Sequence, residues 1–169
     1  KYMKKVGVVM GSDSDLSHLE DTFKTLKKFG VPYEGRVISA HRNPAKLHEW
    51  SETLIGDGYG VVIAAAGGAA HLPGVLAAMI TLPVIGVPIP NGPLNGVDAL
   101  HSIVQMPAGI PVATVGVGLG GAVNAAILAI EILAISDEAL AKKLLAYKVE
   151  LKTKNDEKDI SIQAKIKAF

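Results

Sequence analysis

The sequence predicts a three-layer α/β fold, a five-stranded parallel sheet doubly wound with helices on both faces. Two observations carry that expectation. Short β-branched runs alternate with longer stretches of helical period from Lys5 onward, and they do so five times. The composition, 49% hydrophobic and 20% charged over 169 residues, is that of a globular chain able to bury a core as one domain.

The elements follow in order. Lys5 to Met10 (KVGVVM) reads as a buried strand, and Leu16 to Phe29 carries apolar residues at helical spacing, closed by Gly30. Tyr33 to Ser39 is the second strand. Asn43-Pro44 opens the second helix as N-cap and first-turn proline. Gly60 to Ala66 (GVVIAAA) and Pro83 to Val87 (PVIGV) are strands three and four, followed by helical stretches at Leu72–Met79 and Val97–Met106. Val112 to Val117 is strand five and Ala122 to Ile135 a small-residue helix. Ser136-Asp137-Glu138 caps a last helix running to about Lys152. A single α/β domain over residues 1–152 is therefore expected, with 153–169 a polar, lysine-rich C-terminal helix or tail, frayed or folded on a neighbour.

Charge excludes several function classes. The net charge is +1 with scattered lysines, which is no footprint for nucleic acid. Cysteine is absent, so disulfides, thiolate catalysis and zinc–cysteine sites are excluded together. His48 and His101 lack metal-ligand spacing, and no metal site is expected. Between Gly58 and Ile130 the one formally charged side chain is Asp98. Pro73, Pro83, Pro88 and Pro90, with Gly67-Gly68, cut this stretch into runs shorter than the ~20 apolar residues a membrane span needs. So large an uncharged segment is hard to hide in one subunit, and a homo-oligomer with extensive interfaces is expected. Lys1-Tyr2-Met3-Lys4-Lys5 runs directly into a strand without a signal-peptide pattern, making the cytoplasm the expected location.

In doubly wound sheets ligands sit beyond the carboxyl ends of the strands, which directs attention to the loops after strands one, two and three. The first, Gly11-Ser12-Asp13-Ser14-Asp15, precedes a helix and suits an anion, though its carboxylates compete for the same backbone donors. Serine hydroxyls and N–H groups on phosphate, with a carboxylate on ribose hydroxyls, would reconcile the two; plain helix capping would explain the same residues. The second loop reads Ser39-Ala40-His41-Arg42-Asn43-Pro44. Imidazole, with an unperturbed pKa of ~6.5, suits proton transfer at neutral pH, and Arg42, one of only two arginines, suits phosphate or carboxylate. The third loop, Ala66 to Gly74 (AGGAAHLPG), offers glycines that let backbone approach a ligand, although on these residues alone a tight turn with His71 capping locally explains it better. A further run, Gly116-Val117-Gly118-Leu119-Gly120-Gly121, matches GxGxxG but falls in the last βα unit, so close helix packing explains it better than a dinucleotide.

Together these segments resemble the class I N5-carboxyaminoimidazole ribonucleotide mutase family of de novo purine biosynthesis. The matching stretches are MGSDSD (Met10–Asp15), SAHR (Ser39–Arg42), AGGAAHLPG (Ala66–Gly74), LPVIGVP (Leu82–Pro88) and SIVQMPAGIPVATV (Ser102–Val115), in the family's order. The resemblance implies a phosphate and ribose site at Ser12, Asp15 and Arg42, with His41 as acid–base catalyst. Ser14, Ser39 and the loop Gly67, Gly68 to His71 and Leu72 would complete the pocket and enclose CO2. It implies a homo-octamer of cytoplasmic enzyme subunits that moves CO2 from the exocyclic nitrogen to ring carbon C4 without cofactor or metal, and no nucleic-acid or membrane partner. Departures from the pattern are Asn43 where threonine is common, a Gly/Pro-rich Asn91-Gly92-Pro93-Leu94, and Gly120-Gly121.

Two other readings share the same flavodoxin-like fold. The class II relative carboxylates aminoimidazole ribonucleotide directly, and its comparable loop carries lysine where this chain has Arg42. A noncatalytic nucleotide-binding or signalling module would have no use for the adjacent His41-Arg42 pair.

Overall fold

The computed structural model describes residues 3–169; Lys1 and Tyr2, the start of the run weighed as a leader, lie outside the described residues. The chain divides into two compact units, one ending at Leu133 and the other spanning Ala134–Phe169. The first holds β1 (Lys5–Met10), α1 (Leu16–Phe29), β2 (Tyr33–Val37), α2 (Pro44–Thr53), β3 (Tyr59–Gly67), α3 (Leu72–Met79), β4 (Val84–Ile89), α4 (Val97–Val104) and β5 (Ala113–Thr114). α5 (Leu119–Ala134) follows, and α6 (Glu138–Ile166) forms the second unit. All strand pairs are parallel and the sheet order is β2-β1-β3-β4-β5, which is the flavodoxin-like arrangement.

Alternation along β3 explains the three layers. Val62, Ala64 and Ala66 join one core cluster with Leu47 and Trp50 of α2, Leu72 and Leu76 of α3, and Ala99 and Ile103 of α4. Val61, Ile63 and Ala65 are equally buried and point to the opposite face, because successive side chains of a strand alternate. On that side α1 and α5 are joined directly: the buried Thr22 hydroxyl donates to the Ala122 carbonyl at 2.8 Å. At the amino ends of the strands, Lys5 of β1 meets Glu34 of β2 at 2.5 Å and sits 4.2 Å over the ring of Tyr59 of β3, whose hydroxyl donates to Glu34. One cluster thus ties the first residues of three neighbouring strands.

Several expected element ends shift by a few residues, and two elements change more. Strand five covers only Ala113–Thr114, not Val112 to Val117, since Gly116 begins a turn in which Gly118 takes φ 88°. The chain then packs so closely that a Cβ on Gly121 would strike the Gly116 carbonyl, and α5 starts at Leu119. This is a packing reason for the glycine run. The last helix does not stop near Lys152 but continues to Ile166, so residues 153–166 are helical. Nothing between Ser136 and Phe169 is Gly or Pro, and the Glu150–Lys154 ion pair at 2.7 Å sits across the expected stop. The Asp137 side chain caps its start, accepting from the Leu140 N–H at 3.0 Å. No helix of the described residues is long and apolar enough to cross a membrane.

Candidate active site

A cleft of about 180 Å³ opens beyond the carboxyl ends of β1, β2, β3 and β4. It lies where the chain, having left β1 for β2 on one side, crosses to β3 on the other. The reversal parts the loops there and leaves a crevice.

From the first loop come Gly11, Ser12 and Asp15. The loop ends in a single 3₁₀ turn, Asp13–Asp15, and Ser12 and Asp15 form a capping box: the Ser12 N–H donates to Asp15 Oδ2 at 3.2 Å, and Ser12 Oγ accepts from the Ser14 N–H at 3.4 Å. The capping explanation of these residues is therefore realised, and so is their place in the cleft wall. Asp15 is only 3% exposed, and burial pushes its carboxyl up from the usual range, against the pull of the Ser12 N–H, His18 and Arg42. Ser14 is exposed, its hydroxyl 2.9 Å from Ser12 Oγ, and it is not part of the cleft lining.

The second loop contributes Ser39, Ala40, His41 and Arg42. Arg42 is fixed at three points: its backbone N–H and Nε donate to Ser39 Oγ at 3.1 and 3.3 Å, and Nη2 donates to the Gly11 carbonyl at 2.8 Å. The guanidinium therefore ties the loop after β2 to the loop after β1 and retains unused donors facing the cleft. Directly after it, Asn43 caps α2 by accepting from the Lys46 N–H at 3.1 Å, which sets where His41 and Arg42 emerge.

The third loop supplies Ala66, Gly67, Ala69, His71 and Leu72, whereas Gly68, at φ 62°, turns the chain without lining the cleft. His71 does more than wall the space. Its Nδ1 lies 2.7 Å from Nε2 of His41, with the rings edge to face at 88° and centroids 4.9 Å apart. One nitrogen of this pair must donate and the other accept, so each ring fixes the tautomer of the other. The sequence did not foretell the contact, since 30 residues separate the two. Asn91, just beyond β4, also lines the cleft. The carboxyl-end rule extends to the loop after strand four, but within that loop nothing in the sequence separates Asn91 from an ordinary Asn-Gly turn.

A small-molecule cleft at this switch point places the chain among the flavodoxin-like α/β proteins that bind ligands at the carboxyl edge of the sheet. Within that class it belongs to the AIR carboxylase family, whose model matches residues 5–154. The chain is 57% identical over 150 residues to the N5-carboxyaminoimidazole ribonucleotide mutase of Pyrococcus abyssi, covering 89% of this chain and 85% of the relative. It is 57% identical over 139 residues to the enzyme of the same name from Aquifex aeolicus, 82% of each chain. Among solved structures, Treponema denticola PurE superposes with a TM-score of 0.84 at 30% identity, over 92% of this chain and 96% of that one.

Proposed function

We propose that this chain is an N5-carboxyaminoimidazole ribonucleotide mutase of purine biosynthesis, working as a cytoplasmic homo-octamer, with His41 as its acid and base. The observation that carries the reading is the His41–His71 pair at 2.7 Å in a cleft also lined by Arg42, Ser12 and Asp15. Its arrangement suits a substrate charged at one end and reactive at the other. Arg42 and Ser12 take the phosphate, Asp15 accepts from ribose hydroxyls, and the aminoimidazole ring then faces the two histidines. Ser39 holds Arg42 in place; Ser14, Gly68 and Leu72 shape the loops around the ligand.

The chemistry needs one proton moved twice. His41 protonates the exocyclic nitrogen as the N–C bond of the carbamate breaks, leaving aminoimidazole ribonucleotide, CO2 and neutral imidazole. C4 of the electron-rich ring attacks CO2, and His41 takes the C4 proton, returning to its starting state. The apolar Ala66–Leu72 loop keeps CO2 dry and uncharged between the steps. The carbamate is labile by itself, so the reaction asks for no metal, ATP or biotin.

Purified protein given N5-carboxyaminoimidazole ribonucleotide should form the C4-carboxylated product at full rate in EDTA. Preference for aminoimidazole ribonucleotide plus CO2 would assign the direct carboxylation instead. Binding without turnover of either would leave a noncatalytic module.

A further inference from the structure

Beyond β4 the chain turns sharply at Pro90, where the Asn91 N–H donates back to the Ile89 carbonyl at 3.0 Å. This turn delivers the Asn91 side chain to Gly67, the last residue of β3. A Cβ at Gly67 would fall within 3.0 Å of Asn91 Cγ, Oδ1 and Nδ2 alike. The end of the carboxamide thus occupies the space that glycine leaves vacant, in the wall of the cleft. Among the described residues neither Oδ1 nor Nδ2 has a hydrogen-bond partner. A seated amide with one acceptor and two donors unused is equipped to contact a ligand.

We infer that Asn91 is a substrate-contacting residue whose Nδ2–H donates to an oxygen of the migrating carboxyl group. The inference rests on the mutase reading above. In that reaction the migrating group is an anion on nitrogen, then neutral CO2, then an anion on carbon. A cation beside it would hold the anionic forms and oppose release; a carboxylate would repel them. A neutral donor grips an oxygen in all three forms. Its position over Gly67 puts it at the mouth of the same loop that is proposed to retain CO2.

The test compares two ligands that differ only in the carboxyl group, on the full-length protein and its Asn91→Asp and Asn91→Ala variants. Asn91→Asp, which keeps the shape and reverses the interaction, should raise KM for N5-carboxyaminoimidazole ribonucleotide by about 10- to 150-fold, the range for a lost charge-assisted hydrogen bond. Affinity for aminoimidazole ribonucleotide, measured by calorimetry, should stay at the wild-type value and thereby report an intact pocket. Asn91→Ala should fall between. Equal weakening of both ligands would make Asn91 a support for the Gly67 loop and overturn the contact, as would no change in KM. A wild-type protein inactive on the carboxylated substrate would instead remove the mutase reading, and the Asn91 assignment with it.

Discussion

His41 and His71 are chemically the same side chain, and the proposed function gives them different roles. His41 stands beside Arg42 in the loop after β2 and His71 at the start of α3, their Nε2 and Nδ1 2.7 Å apart in the cleft lining. A general acid–base group contributes about 10²–10⁴-fold, so His41→Asn should lower kcat by that factor while substrate still binds and the fold survives. His71→Asn retains an amide atom near the Nδ1 position and should lose far less, and less than His71→Ala. Steady-state kcat with parallel binding measurements checks this. Near wild-type kcat in His41→Asn with none in His71→Asn would exchange the two roles. His41 and Arg42 were legible in the sequence because a cation and an imidazole stood side by side after a strand in an arginine-poor chain. Asn91 was not, since an asparagine before glycine reads as turn chemistry, and its seat exists only once β3 and β4 lie side by side.

The start of α1 shows how an element can be stabilised by one feature and strained by another. The Ser12–Asp15 capping box satisfies backbone donors, yet it buries the Asp15 carboxylate, whose folded-state pKa is raised by that burial. The sign follows from linkage: an acid with a raised folded pKa opposes folding when ionised, and the penalty disappears as pH falls below its unfolded value. Asp15→Asn keeps an acceptor for the Ser12 N–H and removes the charge. Melting of ligand-free protein should therefore rise near neutral pH, with the gain shrinking as pH falls through the raised folded pKa and gone below the unfolded carboxylate value, while substrate affinity drops. No gain near neutrality would mean that Asp15 is not held against its preference. Most elements could be placed from sequence because periodicity and caps such as Gly30, Asn43 and Asp137 coincide. The failures have physical causes. Polar composition after Lys152 is not a helix breaker, and the β-branched run at Val112–Val117 pairs with β4 only at Ile85 and Gly86 before the glycine run turns the chain away.

At the scale of the whole molecule, the uncharged stretch from Gly58 to Ile130 is only partly hidden by folding. Leu94, Val97 and Leu119 remain 58%, 55% and 59% exposed, and every residue of the edge strand β2 is exposed. The proposed octamer would cover this surface. Light scattering of dilute protein should give eight times the 17.6 kDa chain mass, and a stable monomer would refute the assembly. A different consequence comes from the opposite edge of the sheet. The Lys5–Glu34–Tyr59 cluster binds the strands together at their amino ends, whereas the cleft opens beyond the carboxyl ends of the sheet. A lineage moving to a hotter or colder habitat can rewrite one edge of this sheet without editing the other.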